Sequence, residues 1–454
     1  MAINTTSPFD LRARVTGTVI APGDPAYDKA RTVVTPVDRH PAAIVRPTDT
    51  SDVQRVVDYA RETGLILAVR SGGHSGAGHG TCDDGIVLDL SSMKGLEIDP
   101  EARIAWAEAG LTAGEYTTRA AEHGLATGFG DTGSVGIGGI TTGGGIGYLV
   151  RKFGLTIDNL LAAEVVTADG EVLQVDADTH PDLFWAIRGG GGNFGVVTRF
   201  KYRLSEVPGV LGGMLIQPAT ADVIAGIIAA AEAAPEELSM IANVMPCPPM
   251  PFVPEEHHGK QVVMTLICWA GDIEEGQRVL APIRALAEPL ADMVRPMSYP
   301  EIYPPEDPDY HPKAVARTMF VDRVDRGVAQ TILDKLGTST AMMPVAQLRV
   351  LGGAMARLPG DATAFAHRDS RILVNLAAIY DPADDVALHT AWVEGFMETL
   401  RQGDTGAYVN FLADEPHRIR DAYPGATYDR LAEIKRRYDP DNLFRLNQNI
   451  APQA

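Results

Sequence analysis

The first half of the chain mixes short helical and strand-like patterns of apolar residues. Apolar residues recur at helical spacing over 50–64, where Thr50 or Ser51 can cap the helix and Gly64 can end it. Strands, a hairpin and further helices complete this half; strands are predicted over 65–71, 85–91, 103–110 and 194–204, a hairpin over 162–176, and helices over 112–124 and 180–189. The mixture predicts an α+β domain that extends to about residue 205.

Longer units follow from about residue 210. Helices alternate with strands there; the helices are predicted over 220–234, 273–288 and 386–402, and the strands over 260–271, 370–380 and 406–414. Strands separated by long helices imply one sheet backed by helices. A last helix is predicted to end at Asp439-Pro440, because proline cannot continue a helix.

Charge and composition narrow the class of partner. The 454 residues carry a formal net charge of −20, which argues against nucleic acid and anionic membrane surfaces. Residues 1–15 have no apolar core, so no secretory signal is predicted, and the apolar run 223–234 is too short to span a membrane. Three cysteines cannot form a disulfide framework. We expect a cytoplasmic protein with a small-molecule partner.

Three segments are unusually rich in glycine, at 69–82, 128–147 and 188–198. Glycine lets a ligand reach the main chain, and successive N–H groups form a nest for phosphate or a polar ring edge. Gly128, Gly130 and Gly133 match the spacing of a dinucleotide fingerprint. The residues after them are too rich in glycine to form the helix that a Rossmann fold needs. The segments predict instead a large flat cofactor clamped by backbone.

His74 lies in the first glycine-rich segment. A histidine in a turn can be an ordinary solvated residue, but an imidazole can also bond to a methyl carbon of a flavin and tether it. His79, Cys82 and Asp83 lie nearby, yet ligands from one loop without a distant partner are a weak metal signal. We expect no metal.

Four motifs follow one another along the chain: RSGGHS at 70–75, GSVGIGGITTGGGIGYLVRKFGLTIDNL at 133–160, PDLFWAIRGGGGNFGVVT at 181–198 and YDRLAEIKRRYDPDNLFRLNQNI at 428–450. Together they resemble the FAD-linked oxidases related to berberine bridge enzyme, within the vanillyl-alcohol-oxidase fold. The resemblance covers nearly the whole chain. It implies a two-part FAD-binding domain of the PCMH type over 1–208, a substrate-binding domain over 209–410 with an antiparallel sheet backed by helices, and a C-terminal berberine-bridge-like segment over 411–454 that returns to the FAD domain.

The same resemblance implies FAD as the cofactor. Its binding residues are expected in the glycine-rich segments and near the C-terminus: Arg70, Ser71, Gly72, Gly73, His74, Ser75, Thr132, Gly133, Ser134, Val135, Gly136, Gly138, Gly139, Thr142, Gly144, Gly145, Asn193, Gly195, Val197, Asn447 and Asn449. In the family the histidine of RSGGHS carries FAD through an 8α bond, which maps onto His74. Some relatives add a cysteine link, but Thr132 occupies that position, so a single link is implied.

Two further positions bear on catalysis. Many relatives carry a tyrosine base in a Y-x-N-Y strand, where this chain has Phe411, whose ring has no hydroxyl and is expected to be a pocket wall. Arg357 stands where plant relatives have a glutamate base, and arginine is a poor base at neutral pH. His367 is another candidate, so the base is not identified. In the family a valine at the position of Val135 is associated with oxygen access to the flavin.

The resemblance implies an oxidase that removes hydride from a C–H next to a hydroxyl or amine and reduces O2 to hydrogen peroxide. The substrate would be a small alcohol, sugar or amine. Two alternatives remain from the sequence: a flavin dehydrogenase that uses another acceptor, and a redox-silent flavin-binding protein, which the missing tyrosine allows.

Overall fold

The first half of the chain contains two small sheets and a separate two-stranded sheet, in which Leu125–Ala126 pairs with Ser205–Glu206. The computed structural model describes residues 8–307 and 311–453. The strands of this half are β1 (Thr18–Ile20), β2 (Ala43–Arg46), β3 (Leu67–Arg70), β4 (Ile86–Asp89), β5 (Leu96–Asp99), β6 (Ile104–Glu108), β7 (Leu125–Ala126), β8 (Leu160–Val166), β9 (Val172–Asp176), β10 (Val196–Arg203) and β11 (Ser205–Glu206). One sheet has the order β1-β2-β4-β3 and is partly parallel. The other is antiparallel, in the order β5-β6-β10-β8-β9.

Short helices connect the strands of this half. They are α1 (Pro8–Arg14), α2 (Tyr27–Arg31), α3 (Thr50–Thr63), α4 (Ala113–Ala121), α5 (Ile137–Thr142), α6 (Val150–Phe153) and α7 (Pro181–Ala186). No helix in the described part of the chain combines the length and the apolar character needed to cross a bilayer.

The second half forms a larger sheet that is antiparallel throughout. Its strands are β12 (Val210–Pro218), β13 (Leu238–Pro246), β14 (Gln261–Trp269), β15 (Ala291–Asp292), β16 (Arg295–Met297), β17 (Ala314–Val321), β18 (Met343–Val350) and β19 (Ile372–Ile379). They run in the order β15-β12-β14-β13-β18-β19-β17, and β16 also pairs with β12. The helices of this half are α8 (Ala221–Ala233), α9 (Ile273–Arg284), α10 (Arg326–Leu336), α11 (Val386–Leu400), α12 (Ile419–Ala422) and α13 (Ala426–Tyr438).

Alternation along the strands gives this sheet two different faces. Even-numbered residues of β13, β18 and β19 are apolar and pack with helices α8 to α11 in one hydrophobic core. Odd-numbered residues point to the opposite face, where Arg349 pairs with Asp131 of the first half. The expected α+β fold, with an antiparallel sheet backed by helices, is confirmed.

Three local predictions are wrong. The cap of α3 is Asp49, whose carboxylate accepts the N–H of Asp52, while Thr50 donates to Glu164 instead. Residues 137–142 do form a short helix, α5. Interior glycines cost a helix about 1 kcal/mol each, but burial of apolar residues such as Ile137 favours this one.

The third wrong prediction is the strand over 406–414. Residues 409–411 form one turn of 3-10 helix instead, held by contacts with the glycine-rich loop rather than by a neighbouring strand. Strands β12, β13, β17 and β18 were not predicted from the sequence.

The end of the chain returns to the first core. Leu412, Leu431, Leu443 and Ile450 are buried among residues of the first half, in the same hydrophobic core as the sheet around β10. The residues that form the larger sheet are therefore an insertion in the sequence: the segments before and after them pack together in one core.

A buried ion pair fastens this returning segment. The side chains of Lys435 and Asp439 are fully buried, and the Lys435 ammonium also donates to the carbonyls of Asn193 at 2.8 Å and Phe444 at 2.9 Å. Asp439 accepts the backbone N–H groups of Leu443 and Phe444 as well. Burial lowers the pKa of Lys435, and the charge of Asp439 opposes that shift. The pair ties α13 to the third glycine-rich segment.

We expect Asp439→Asn to lower the free energy of unfolding by about 3–5 kcal/mol, because the buried ammonium of Lys435 loses its counterion. The urea midpoint measures the effect. Asp429→Asn is the matched control, because the Asp429 carboxylate is exposed and lies 3.8 Å from Arg420, so its loss should change the midpoint little. Equal midpoints for the two variants would contradict the prediction.

Candidate active site

The first two glycine-rich segments touch through their backbones. A Cβ atom on Gly72 would lie 2.2 Å from the nitrogen of Gly136, and one on Gly136 would lie 2.1 Å from the nitrogen of Gly72. No side chain fits at either position. Ser71 adds a bridge, because its hydroxyl donates to the carbonyl of Ala109 at 2.6 Å and accepts the N–H of Gly138 at 3.2 Å. The two loops are therefore fixed in one relative position.

His74 lies at this junction. Its Nε2 is 2.8 Å from the hydroxyl oxygen of Ser134, and both the hydroxyl and the N–H of Ser134 donate to the carboxylate of Glu306. Burial lowers the pKa of His74, although the charge of Glu306 opposes the shift. Burial therefore favours the neutral imidazole, which is the form that acts as a nucleophile.

The C-terminal region holds the second glycine-rich segment from another side. The hydroxyl oxygen of Tyr408 accepts the N–H groups of Gly145 at 3.0 Å and Ile146 at 3.2 Å. Asn410 donates to that same oxygen and to the carbonyl of Ile140. Tyr408 is only 1% exposed, so it satisfies two backbone donors that water does not reach.

The larger sheet supplies a polar wall. Arg349 on β18 donates to Asp131 of the glycine-rich segment at 2.6 Å, and its guanidinium carbon lies 5.0 Å from the centre of the Phe411 ring. The side-chain oxygen of Gln347 accepts two further N–H groups of Arg349. The Gln347 amide then donates to Asn243 on β13 at 2.9 Å. This chain of hydrogen bonds crosses two strands and ends at the glycine-rich loop.

Comparisons with known proteins agree with this architecture. The family model described as "FAD binding domain" matches residues 41–176, and the one described as "Berberine and berberine like" matches residues 407–451. The chain is 31% identical to (R)-6-hydroxynicotine oxidase of Paenarthrobacter nicotinovorans, over 97% of this chain and 98% of that protein. The chain belongs to the FAD-linked oxidases related to berberine bridge enzyme. It is therefore a FAD-linked oxidoreductase with a PCMH-type FAD-binding fold.

Other members of the family align over similar lengths. This FAD-linked oxidoreductase is 28% identical to xylooligosaccharide oxidase of Thermothelomyces thermophilus, over 91% of this chain and 87% of that one. Its structure superimposes on the crystal structure of 6-hydroxy-D-nicotine oxidase from Arthrobacter nicotinovorans with a TM-score of 0.85. That match has 27% identity and covers 97% of this chain and 98% of the other.

Open backbone positions in the second and third glycine-rich segments, and unsatisfied side chains beside the third, fit a flavin nucleotide. Added Cβ atoms on Gly139 and Gly192 would meet nothing within 4 Å, so the backbone is open to a ligand at both positions. The side-chain oxygens of Asn447 and Asn449 are buried and accept no hydrogen bond from the described residues. A buried acceptor without a donor costs about 1–3 kcal/mol, and N–H or hydroxyl groups of the cofactor would satisfy it.

The side chains of two predicted FAD-binding residues form hydrogen bonds within the protein itself. Arg70 donates to the carbonyl of Ala30 and to Asp89, in a buried site. Burial raises the pKa of Asp89, but the charge and hydrogen bonds of Arg70 outweigh it and hold the pKa below its ordinary value. Asn193, fully buried, donates to two carbonyls and accepts the N–H of Ile450. Both side chains position the loops rather than face an open site.

The remaining predicted FAD-binding residues lie along these same loops. Val135 and Gly133 accept backbone N–H groups from the start of α4, and Thr142 accepts two from the third glycine-rich segment. Gly145 has a left-handed φ of 85°, which brings its N–H to Tyr408, and Gly195 packs against β8. The others lie in the two loops or on β10: Gly73, Ser75, Thr132, Gly138, Gly144 and Val197.

The three candidates considered for catalysis lie in different places. Arg357 is 60% exposed and pairs with Glu236 at the surface. His367 is buried, and its Nε2 must donate to the carbonyl of Ala422, because a carbonyl only accepts. Phe411 alone adjoins the polar wall, where it packs against Tyr408 and Arg349.

Sequence reasoning missed most of the polar wall and the Glu306 contact. Asn243, Gln347, Arg349 and Asn375 occupy odd-numbered positions in strands whose even-numbered positions are apolar. That alternation is visible in the sequence, for example in PVAQLRV, and it predicts one polar face. No local pattern indicates Glu306, which lies in a proline-rich loop.

We expect Tyr408→Phe to destabilise the protein by about 2–4 kcal/mol, because the buried N–H groups of Gly145 and Ile146 lose their acceptor. Thermal or urea unfolding measures this. Tyr380→Phe is the control: Tyr380 stacks on His389 in the second core, and its hydroxyl bonds no group among the described residues. A Tyr408→Phe protein as stable as this control would show that the hydroxyl does not hold the loop.

Proposed function

We propose that this protein is an oxidase whose FAD is attached to His74 by a single 8α bond. One observation carries the proposal: the His74 imidazole lies at the point where two glycine-rich loops meet with their bare backbones in contact. Backbone N–H groups of these loops, with Asn447 and Asn449, would hold the cofactor. Thr132 offers no thiol for a second link.

Bound flavin supplies a hydride acceptor, and its two electrons then reduce O2 to hydrogen peroxide. The residues of this chain orient the substrate and exclude water. The polar wall offers hydrogen-bonding groups along the substrate-domain sheet, and the side-chain oxygen of Asn375 accepts no bond from the described residues. Such a wall suits a small substrate with hydroxyl or amine groups next to the C–H that is oxidised.

The names of the relatives support this substrate class. One relative is named for a hydroxylated nicotine and another for xylooligosaccharides. An amine that binds in its neutral form needs no base, which is consistent with the ring of Phe411 at the position of the family's tyrosine. We therefore propose an alcohol, sugar or amine as substrate and O2 as the electron acceptor.

The two hydrophobic cores suggest which parts of the chain bind FAD and which bind the substrate. We propose that 1–208 bind FAD, that 209–410 bind the substrate, and that 411–454 complete the FAD domain. Burial of Leu412, Leu443 and Ile450 in the first core supports the last assignment. The separate core of the larger sheet supports the second.

Denaturation tests the tether. The yellow colour should remain with the wild-type polypeptide after acid or detergent treatment, and His74→Ala should release it, because the imidazole that forms the bond is gone. His79→Ala is the matched control: it lies in the same loop, five residues further on, and should keep its flavin attached. The measurement is flavin fluorescence of the denatured polypeptide band. Wild-type protein that releases its flavin would refute the attachment.

A substrate panel under air tests the oxidase proposal. We expect one hydrogen peroxide per substrate oxidised, and we expect Val135→Leu to slow reoxidation by O2 roughly tenfold without slowing anaerobic flavin reduction, because the larger side chain blocks O2. Val172→Leu, at a surface position, should change neither rate. Fast reduction without peroxide would indicate a dehydrogenase. No reduction by any alcohol, sugar or amine would indicate a redox-silent protein.

A further inference from the structure

We propose that Glu306 and Ser134 are positioning residues that prepare His74 to attach its own flavin. The inference rests on the proposed function, since it presumes the bond to His74. It concerns a step that precedes catalysis, so it can fail while the tether itself is correct.

The donors and acceptors around Ser134 determine which tautomer His74 adopts. The carboxylate of Glu306 is exposed and is the acceptor in both of its contacts with Ser134. One carboxylate oxygen accepts the N–H of Ser134 at 3.0 Å, and the other accepts its hydroxyl proton. The hydroxyl has no second proton for His74. The contact of 2.8 Å between Ser134 Oγ and His74 Nε2 thus requires that Nε2 carry the proton and donate it.

The other ring nitrogen of His74 is consequently left with its lone pair. A neutral imidazole carries one proton, and when that proton is on Nε2, Nδ1 is the nucleophilic atom. The contact with the Ser134 hydroxyl is made by Nε2 and not by Nδ1. The Glu306–Ser134 pair therefore holds the imidazole in the tautomer whose free nitrogen can form the bond.

The Glu306 carboxylate bonds to Ser134 and forms no ion pair with another described residue. Among the residues that the structure describes, no lysine or arginine pairs with it, and Ser134 is its hydrogen-bond partner. It reaches Ser134 from a distant part of the sequence, and the preceding Tyr303 packs against Gly133, since an added Cβ there would lie 3.4 Å from the Tyr303 side chain. The loop 303–306 thus supports the segment that faces His74.

The attachment step balances with O2 as the oxidant. A bond forms between His74 Nδ1 and the 8α carbon of FAD, and one C–H bond of the 8-methyl group breaks. The 8α carbon is oxidised by two electrons, which reduce O2. Alkylated Nδ1 leaves a surplus proton on Nε2, which passes to Ser134 Oγ while the Ser134 proton passes to Glu306. This proton and the one from the methyl group complete hydrogen peroxide.

Full-length protein made without flavin provides the test. FAD is added in air, and the fraction of flavin that stays with the denatured polypeptide is followed over time. We expect Glu306→Gln and Ser134→Ala each to slow attachment roughly ten- to a hundredfold. The double variant should be no slower than the slower single one, because both residues act through one hydrogen-bond chain. Asp307→Asn, an equal change of charge in the same loop, should attach at the wild-type rate.

Two other measurements separate preparation of His74 from simple support of the loop. The affinity for FAD, measured without O2 before any bond forms, should stay within about twofold of wild type in Glu306→Gln. Nitrogen NMR of the flavin-free protein should show the Nε2–H tautomer of His74 in wild type and its loss in Ser134→Ala.

Attachment at the wild-type rate in Glu306→Gln would overturn the inference, as would a parallel loss of FAD affinity or an Nδ1–H tautomer in wild type. Wild-type protein that never binds FAD covalently would instead refute the proposed tether, whatever the variants do.

Discussion

The contact between Gly72 and Gly136 is the constraint on which the site depends. Two main chains approach so closely that neither position has room for a Cβ atom. This approach brings a loop that follows a parallel strand against a loop that opens a short helix, and it sets His74 beside Ser134. Any larger residue at either glycine would separate the loops and move the imidazole away from its partner.

The second glycine-rich segment is also contacted by three other parts of the protein. Arg349 reaches it from the larger sheet, Tyr408 from the C-terminal region and Glu306 from the proline-rich loop. Each contact uses a polar group to satisfy backbone or side-chain atoms that glycine leaves exposed. A segment with so few side chains of its own takes its shape from its neighbours. Residues 131–146 therefore contact the larger sheet, the C-terminal region and the proline-rich loop.

Sequence patterns anticipated much of the fold but little of the polar wall. The helix α3, the hairpin of β8 and β9 and the helices α8, α9 and α11 follow from local periodicity, which survives in the folded protein because one face of each is buried. The strand expected over 406–414 failed because tertiary hydrogen bonds from Tyr408 override local alternation. The prediction that no helix forms over 137–142 was also wrong. Helix α5 forms there because burial of Ile137 outweighs the poor helix propensity of glycine.

The sequence by itself determined that the chain belongs to a family of FAD-linked oxidoreductases: glycine clusters, the histidine within RSGGHS and the order of the motifs are features of the sequence alone. Only the tertiary structure decided which polar groups meet. Glu306 reaches Ser134 across 172 positions, and Asp131 reaches Arg349 across 218. Such pairs depend on how sheets and loops pack, and a local pattern of residues does not predict contacts between positions so far apart in the sequence.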